Sequence, residues 1–118
     1  MYITYVEDNV ANIALFERIC QMGKDDLTIY LDAESAFNAL MTDYCDLIVI
    51  DLHLGSNTLD GLELARLLRE NGIEQPIVAI TSYDHLFRDQ YADAGCNEYI
   101  RKPVSVEAFL ALIDRYRP

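Results

Sequence analysis

Four stretches of this sequence end a short apolar run with side chains able to do chemistry: Val6-Glu7-Asp8, Val49-Ile50-Asp51, Ile80-Thr81-Ser82 and Ile100-Arg101-Lys102-Pro103. If the four ends meet, carboxylates, hydroxyls and an ammonium share one cleft. Two like charges about 4 Å apart at an effective dielectric near 20 repel by on the order of 4 kcal/mol, so such a cleft calls for a cation. Lys102 offsets one negative charge. A hard divalent ion held by carboxylate oxygens and backbone carbonyls offsets more, and an all-oxygen set with retained waters favours Mg²⁺, or Mn²⁺ in its place. A zinc or other transition-metal site is not indicated. His53 and His85 are far apart with no helical or turn relation, and Cys20, Cys45 and Cys96 share no CxxC or other ligand spacing. The odd number of cysteines also argues against a disulfide framework, so all three read as small core residues.

Each of these residues also has a purely structural explanation. Asp8 or Asn9 could cap the helix that follows, Thr81 or Ser82 could begin a turn, and Lys102 could be a solvated lysine before a proline. Asp32 serves as an internal control: it follows Ile29-Tyr30-Leu31 in the same way, with Ser35 three residues on, and reads as an N-cap only.

The elements that must position these side chains follow from two alternating periodicities. Apolar or β-branched runs at Tyr2 to Val6, Leu27 to Leu31, Leu47 to Ile50, Pro76 to Thr81 and Glu98 to Ile100 predict strands. Helical spacing predicts helices over 10–22, 33–42, 60–71 and 85–94, and a last one that Ser105 caps. In that last helix Val106, Phe109, Leu110, Ile113 and Tyr116 form one apolar stripe. Leu64, Ala65 and Leu68 face inward from the third helix, and Gly72 stands where a helix commonly ends in the left-handed conformation. Strands alternating with helices predict an α/β fold, a doubly wound five-stranded parallel sheet covered on both faces. Ligands of such sheets bind beyond the carboxyl ends of the strands, which is where the polar groups stand.

Composition bounds the rest. A chain of 118 residues, 52% hydrophobic and 25% charged, is expected to be one globular domain over 1–118. The longest apolar runs, such as Leu47 to Ile50, fall far short of the roughly 20 residues of a membrane span. Met1 to Val6 lacks the basic flank of a signal peptide, so a cytoplasmic location without membrane insertion is expected. A formal charge of -11 with no basic patch, Arg66 with Arg69 and Arg115 with Arg117 being isolated pairs, argues against direct nucleic-acid binding.

The motifs Val6-Glu7-Asp8-Asn9, Ile50-Asp51, Asp60-Gly61, Ala79-Ile80-Thr81-Ser82 and Tyr99-Ile100-Arg101-Lys102-Pro103 occur in order along the whole chain. Together they resemble the receiver domain of two-component response regulators. The resemblance implies a flavodoxin-like (βα)5 fold with strand order 2-1-3-4-5. It implies that Asp51 accepts a phosphoryl group from a phosphohistidine on a sensor histidine kinase or a histidine phosphotransfer protein. Asp8 would be the direct Mg²⁺ ligand beside Asp51, Glu7 its partner acting mainly through metal-bound water, and the backbone carbonyl of His53 a further ligand. Thr81 and Lys102 would contact the transferred group, and Tyr99 would report the switch by its rotamer. Such a protein is no enzyme in the usual sense; it catalyses its own phosphorylation and a slow autodephosphorylation.

The chemistry is intelligible from the residues. A carboxylate is a workable nucleophile towards phosphorus, and charge develops on the equatorial oxygens of the transferring group, where Mg²⁺ and Lys102 can stabilise it. Phe87 and Tyr91 lie four residues apart on one helical face, with Tyr83 just before, so aromatics run towards Tyr99. This suggests an output surface on helix 4, strand 5 and helix 5 for a downstream protein partner or a homodimer; alternatively Phe87 and Tyr91 pack into the core. Two departures stand out: the Asp51 to Gly61 loop is two residues longer than the family's usual spacing, and Gly55 replaces a common proline. They bear on the position of the His53 carbonyl and on which kinase docks.

Rival readings fit less well. An aspartyl-nucleophile phosphatase dependent on Mg²⁺ would resemble Asp-x-Asp-x-Thr, whereas Asp51-Leu52-His53-Leu54-Gly55 lacks the second acid. A flavodoxin-like electron carrier would need a phosphate loop where Glu7-Asp8-Asn9-Val10 would repel FMN. A phosphorylation-independent interaction module need not keep Asp8, Asp51, Thr81 and Lys102, all of which are present. Predicted elements run nearly end to end, so no attached output domain is expected, whether the chain stands alone or is cut from a longer regulator or hybrid kinase.

Overall fold

The computed structural model describes residues 1–52, 60–82 and 88–118. Its strands are β1 (Tyr2–Val6), β2 (Asp26–Tyr30), β3 (Leu47–Asp51), β4 (Ile77–Thr81) and β5 (Glu98–Arg101). Its helices are α1 (Val10–Gly23), α2 (Ala33–Leu40), α3 (Gly61–Glu70), α4 (Arg88–Asp93) and α5 (Val106–Arg115). All strand pairs are parallel, in the order β2-β1-β3-β4-β5. The central strands β3 and β4 are buried along their whole length, as their unbroken apolar runs require.

Side-chain alternation divides the core. Leu47 and Val49 join Ile3, Tyr5, Phe16, Phe109, Leu112 and Ile113 on one face of the sheet, under α1 and α5. Ile48 and Ile50 join Ala33, Ala36, Leu64 and Leu68 on the other, under α2 and α3. Each face of β3 thus locks against different helices, and this fixes the register that brings Asp51 to the end of the strand.

Several boundaries differ from the sequence expectation. β2 runs one residue earlier: Asp26 N–H donates to the Met1 carbonyl, and Leu31 lies outside the strand, 60% exposed. β4 starts at Ile77, because Pro76 has no N–H and offers only its carbonyl, to Ile48 N–H. α2 ends at Leu40, and α3 lies within Asp60 and Asn71, which cap it. The buried face of α5 is Phe109, Leu112 and Ile113; Val106, at the helix start, is exposed rather than part of the stripe. Gly72 does take a positive φ, +86°. Cys20 and Cys45 are buried and Cys96 half-buried, all free thiols.

Arg69, to which the sequence reading gave no role, stitches α3 to the β4 and β5 entries. Its guanidinium donates to the carbonyls of Gly95 (2.9 Å), Ile73 (2.8 Å) and Gln75 (2.8 Å), and to Asn97 Oδ1 (3.0 Å). At the opposite end from the strand carboxyl termini, Arg117 grips both oxygens of Asp25, at 2.8 and 3.0 Å. Burial alone would raise the Asp25 carboxyl, but hydrogen bonds from Arg117 and the Met1 amine outweigh it and hold the group below its ordinary range. Stability from this clasp is therefore present above the unfolded carboxylate value, about pH 4, and lost as pH falls through the depressed one. Asp25→Asn is expected to be less stable at neutral pH and to lose less on acidification, measured by urea unfolding across pH; parallel curves for the two proteins would contradict this.

Candidate functional site

The carboxyl ends of β1, β3, β4 and β5 lie side by side, which brings the expected residues together. Asp51, the last residue of β3, pairs in register with Ile80, and Thr81 pairs with Arg101. Lys102 N–H donates to the Thr81 carbonyl (2.7 Å), which ties the residue after β5 to the end of β4. From there the Lys102 ammonium reaches Asp51 Oδ2 at 2.9 Å. The Lys102–Pro103 peptide is cis.

Glu7, Asp51 and Thr81 are buried almost completely, at 0%, 2% and 0% exposure, while Asp8 is exposed. One carboxylate oxygen from each of Glu7, Asp8 and Asp51 lies within 4.8 Å of the other two. Burial, and after it the neighbouring Asp51 carboxylate, raises the Glu7 carboxyl above its usual range. Glu7 Oε1 accepts hydrogen bonds from Asn12 Nδ2 (2.7 Å) and Tyr5 Oη (3.3 Å). Its Oε2, equally buried, has no hydrogen-bond partner among the described residues. Three converging carboxylates with an all-oxygen donor set and one buried, undonated oxygen suit a hard divalent cation.

Local sequence explains which polar residues serve as helix caps around the site. Asn9 caps α1, its Oδ1 accepting from Asn12 N–H at 3.0 Å, so the cap falls to Asn9 and not to Asp8. Asp32, two residues past the end of the edge strand β2, caps α2, its carboxylate accepting from Ser35 N–H at 2.7 Å and from Ser35 Oγ at 3.0 Å. Asp60 caps α3 by accepting from Glu63 N–H at 2.9 Å. Gly61 then lets the helix start press on the end of β3. A Cβ there would stand 2.8 Å from both the Asp51 carbonyl oxygen and Leu52 Cα, backbone atoms that cannot rotate away. Gly61→Ala should therefore cost about 1–3 kcal/mol in chemical unfolding and shift the Asp51 amide resonance; an unchanged midpoint and spectrum would refute the close approach.

Tyr99 is half-buried on β5, with its ring 4.6 Å from that of Tyr91. Tyr91 is buried, so this member of the aromatic line packs inward from α4 and supplies the floor against which Tyr99 rests. Tyr83, His85 and Phe87 lie outside the described residues, as do His53 with its carbonyl and Gly55. Tyr5 and Asn12 escaped the sequence reading. Strand alternation was the available signal for Tyr5, which stands two residues before Glu7 on the same side of β1. A cavity of about 540 Å³ opens beside the site, walled by Tyr5, Asn12, Leu15, Ser82, Lys102 and Phe109 among others.

Comparison with known proteins agrees with this arrangement. Residues 3–114 match the family described as the response regulator receiver domain. The chain is 31% identical to the response regulator MprA of Mycobacterium avium over 123 aligned positions, an alignment that takes in 100% of this chain and 53% of that protein. It thus spans about half the length of that relative. Among solved structures it is similar to the receiver domain of the sensor histidine kinase PA1611 from Pseudomonas aeruginosa, which carries a magnesium ion coordinated in its active-site cleft. There the TM-score is 0.84 and the identity 29%, with 98% of this chain and 95% of the other covered. The receiver domain of Ssk1 from Saccharomyces cerevisiae, solved with the phosphotransfer protein Ypd1, gives a TM-score of 0.89 at 26% identity, covering 98% and 88%.

Proposed function

The chain belongs to the response regulator receiver domain family, and on that premise we propose that Asp51 is the phosphoacceptor of a two-component signalling step. The observation that carries the reading is a buried Asp51 carboxylate with Lys102 Nζ at 2.9 Å and Glu7 and Asp8 converging on it. Asp51 attacks the phosphorus of a phosphohistidine, the bond from phosphorus to the imidazole nitrogen breaks, and an aspartyl phosphate remains. The donor is a sensor histidine kinase or a histidine phosphotransfer protein, a class supported by the Ssk1 receiver domain solved with Ypd1.

Glu7, Asp8 and Asp51, with the His53 carbonyl, would hold Mg²⁺, or Mn²⁺ in its place. Bound there, the ion supplies positive charge against the phosphoryl oxygens. Lys102 places its ammonium beside the nucleophile, where it neutralises one negative charge before transfer and contacts a phosphoryl oxygen after it. Thr81, buried at the end of β4, donates its hydroxyl to another phosphoryl oxygen. This bond exists only in the phosphorylated state and draws the segment after β4 towards Asp51. Tyr99, resting on Tyr91, turns inward in response, and the surface of α4, β5 and α5 changes for a downstream protein or a second copy.

Incubation with acetyl phosphate and Mg²⁺ tests the transfer: one phosphoryl group should appear by intact mass, and its absence would overturn the reading. The output step has its own test in backbone NMR with beryllofluoride. Shifts should extend from Asp8 and Asp51 to α4 and Tyr99; shifts confined to the residues around Asp8 and Asp51 would sink the proposed surface.

A further inference from the structure

We infer that Tyr5 and Asn12 are positioning residues that anchor one oxygen of Glu7 and so turn the other towards the cation site. The inference rests on the reading that Glu7, Asp8 and Asp51 hold a divalent cation.

The two Glu7 oxygens are treated unequally. Oε1 takes both available donors, Asn12 Nδ2 at 2.7 Å and Tyr5 Oη at 3.3 Å, whereas no donor reaches Oε2 among the described residues. A buried carboxylate oxygen left without a donor is unfavourable, and a cation at the site would compensate it.

The donors come from two elements, and each is itself fixed. Asn12 is held by its own backbone, since its N–H donates to the Asn9 cap at 3.0 Å in the first turn of α1. Tyr5 is held by its ring, which packs at 4.5 Å on Phe16, itself 4.7 Å from Phe109 on α5. Turning the Glu7 carboxylate would break both bonds at once, so its orientation is set before any ion arrives. Loss of such an outer hydrogen-bonding partner typically costs 10–100-fold in metal affinity. Neither side chain meets the ion; each acts through Glu7.

Mg²⁺ titrations followed by amide NMR shifts test this, with thermal unfolding in EDTA as the control for a merely structural role. Asn12→Leu should weaken Mg²⁺ binding by about tenfold. Tyr5→Phe, whose bond is longer, should weaken it roughly two- to threefold. Unfolding midpoints in EDTA should fall only modestly, as expected for the loss of one donor to Glu7 Oε1. In a Glu7→Gln background, Asn12→Leu should cost nothing further, because the route is through Glu7. Unchanged Mg²⁺ affinity in both single variants overturns the positioning role, and an undiminished effect in the Glu7→Gln background overturns the route. Failure of the wild type to bind Mg²⁺ overturns the cation reading itself and this inference with it. If Asn12→Leu does not fold, Tyr5→Phe, which deletes one oxygen, carries the test.

Discussion

Asp51→Asn is expected to abolish phosphoryl transfer while the fold survives. The amide has the shape of the carboxylate but lacks its nucleophilic oxygen, and removal of a nucleophile from an assembled site typically costs more than about 10³-fold in rate. The fold has reason to tolerate the change. Asp51 is 2% exposed and shares its surroundings with the Glu7 and Asp8 carboxyl groups, so removing its charge relieves repulsion even as the bond from Lys102 weakens. The variant should unfold at the same urea concentration as the wild type or a higher one. With acetyl phosphate and Mg²⁺, intact mass should show one added phosphoryl group on the wild type and none on the variant. A stable acyl phosphate on the Asn variant would show that Asp51 is not the acceptor, and wild-type labelling unaffected by EDTA would show that no divalent cation takes part in the transfer.

The convergence of the candidate site residues was legible because a doubly wound parallel sheet brings every strand's carboxyl end to the same edge. Once Val6, Ile50, Ile80 and Ile100 are read as strand residues, Glu7, Asp51, Thr81 and Lys102 have to meet near one another. The choice between Asp8 and Asn9 as cap was not legible, since both types cap helices equally well; the geometry gives the cap to Asn9. Asn12 was hidden for another reason. Its contact with Glu7 arises only when β1 turns into α1, a junction where neither the strand period nor the helix period applies. Arg69 looked like one of an isolated pair of surface charges because its four acceptors are backbone and side-chain oxygens spread from Ile73 to Asn97, and no local spacing announces them. The α5 stripe was drawn one turn too early for a similar reason. Val106 has the right type and period but lies at the helix start, where it is left exposed.

Lys102→Ala should separate the cation proposed to complete transfer from the carboxylates proposed to hold the metal. In the folded protein the ammonium reaches Asp51 at 2.9 Å and is itself largely covered, its side chain 24% exposed. Removing it leaves Asp51 buried beside Glu7 and Asp8 without its counter-charge. Loss of one partner of a fully buried pair costs about 3–5 kcal/mol, and partial access of water to Lys102 reduces that to roughly 1–3 kcal/mol here. A divalent ion answers the same unbalanced charge, so Mg²⁺ should bind the variant as well as or better than the wild type and restore much of the lost stability. The ammonium's contribution during transfer has no such substitute. By analogy with the loss of one preorganised charge-stabilising donor, the transfer rate should fall by about 10²- to 10³-fold. The switch should also fail to complete, because the contact between Lys102 and the phosphoryl group is missing from the product state. Calorimetric Mg²⁺ titration, urea unfolding with and without Mg²⁺, and acetyl phosphate labelling read these effects separately. If Lys102→Ala loses more Mg²⁺ affinity than Asp8→Ala does, the lysine belongs to the metal-holding set and this division of roles is wrong.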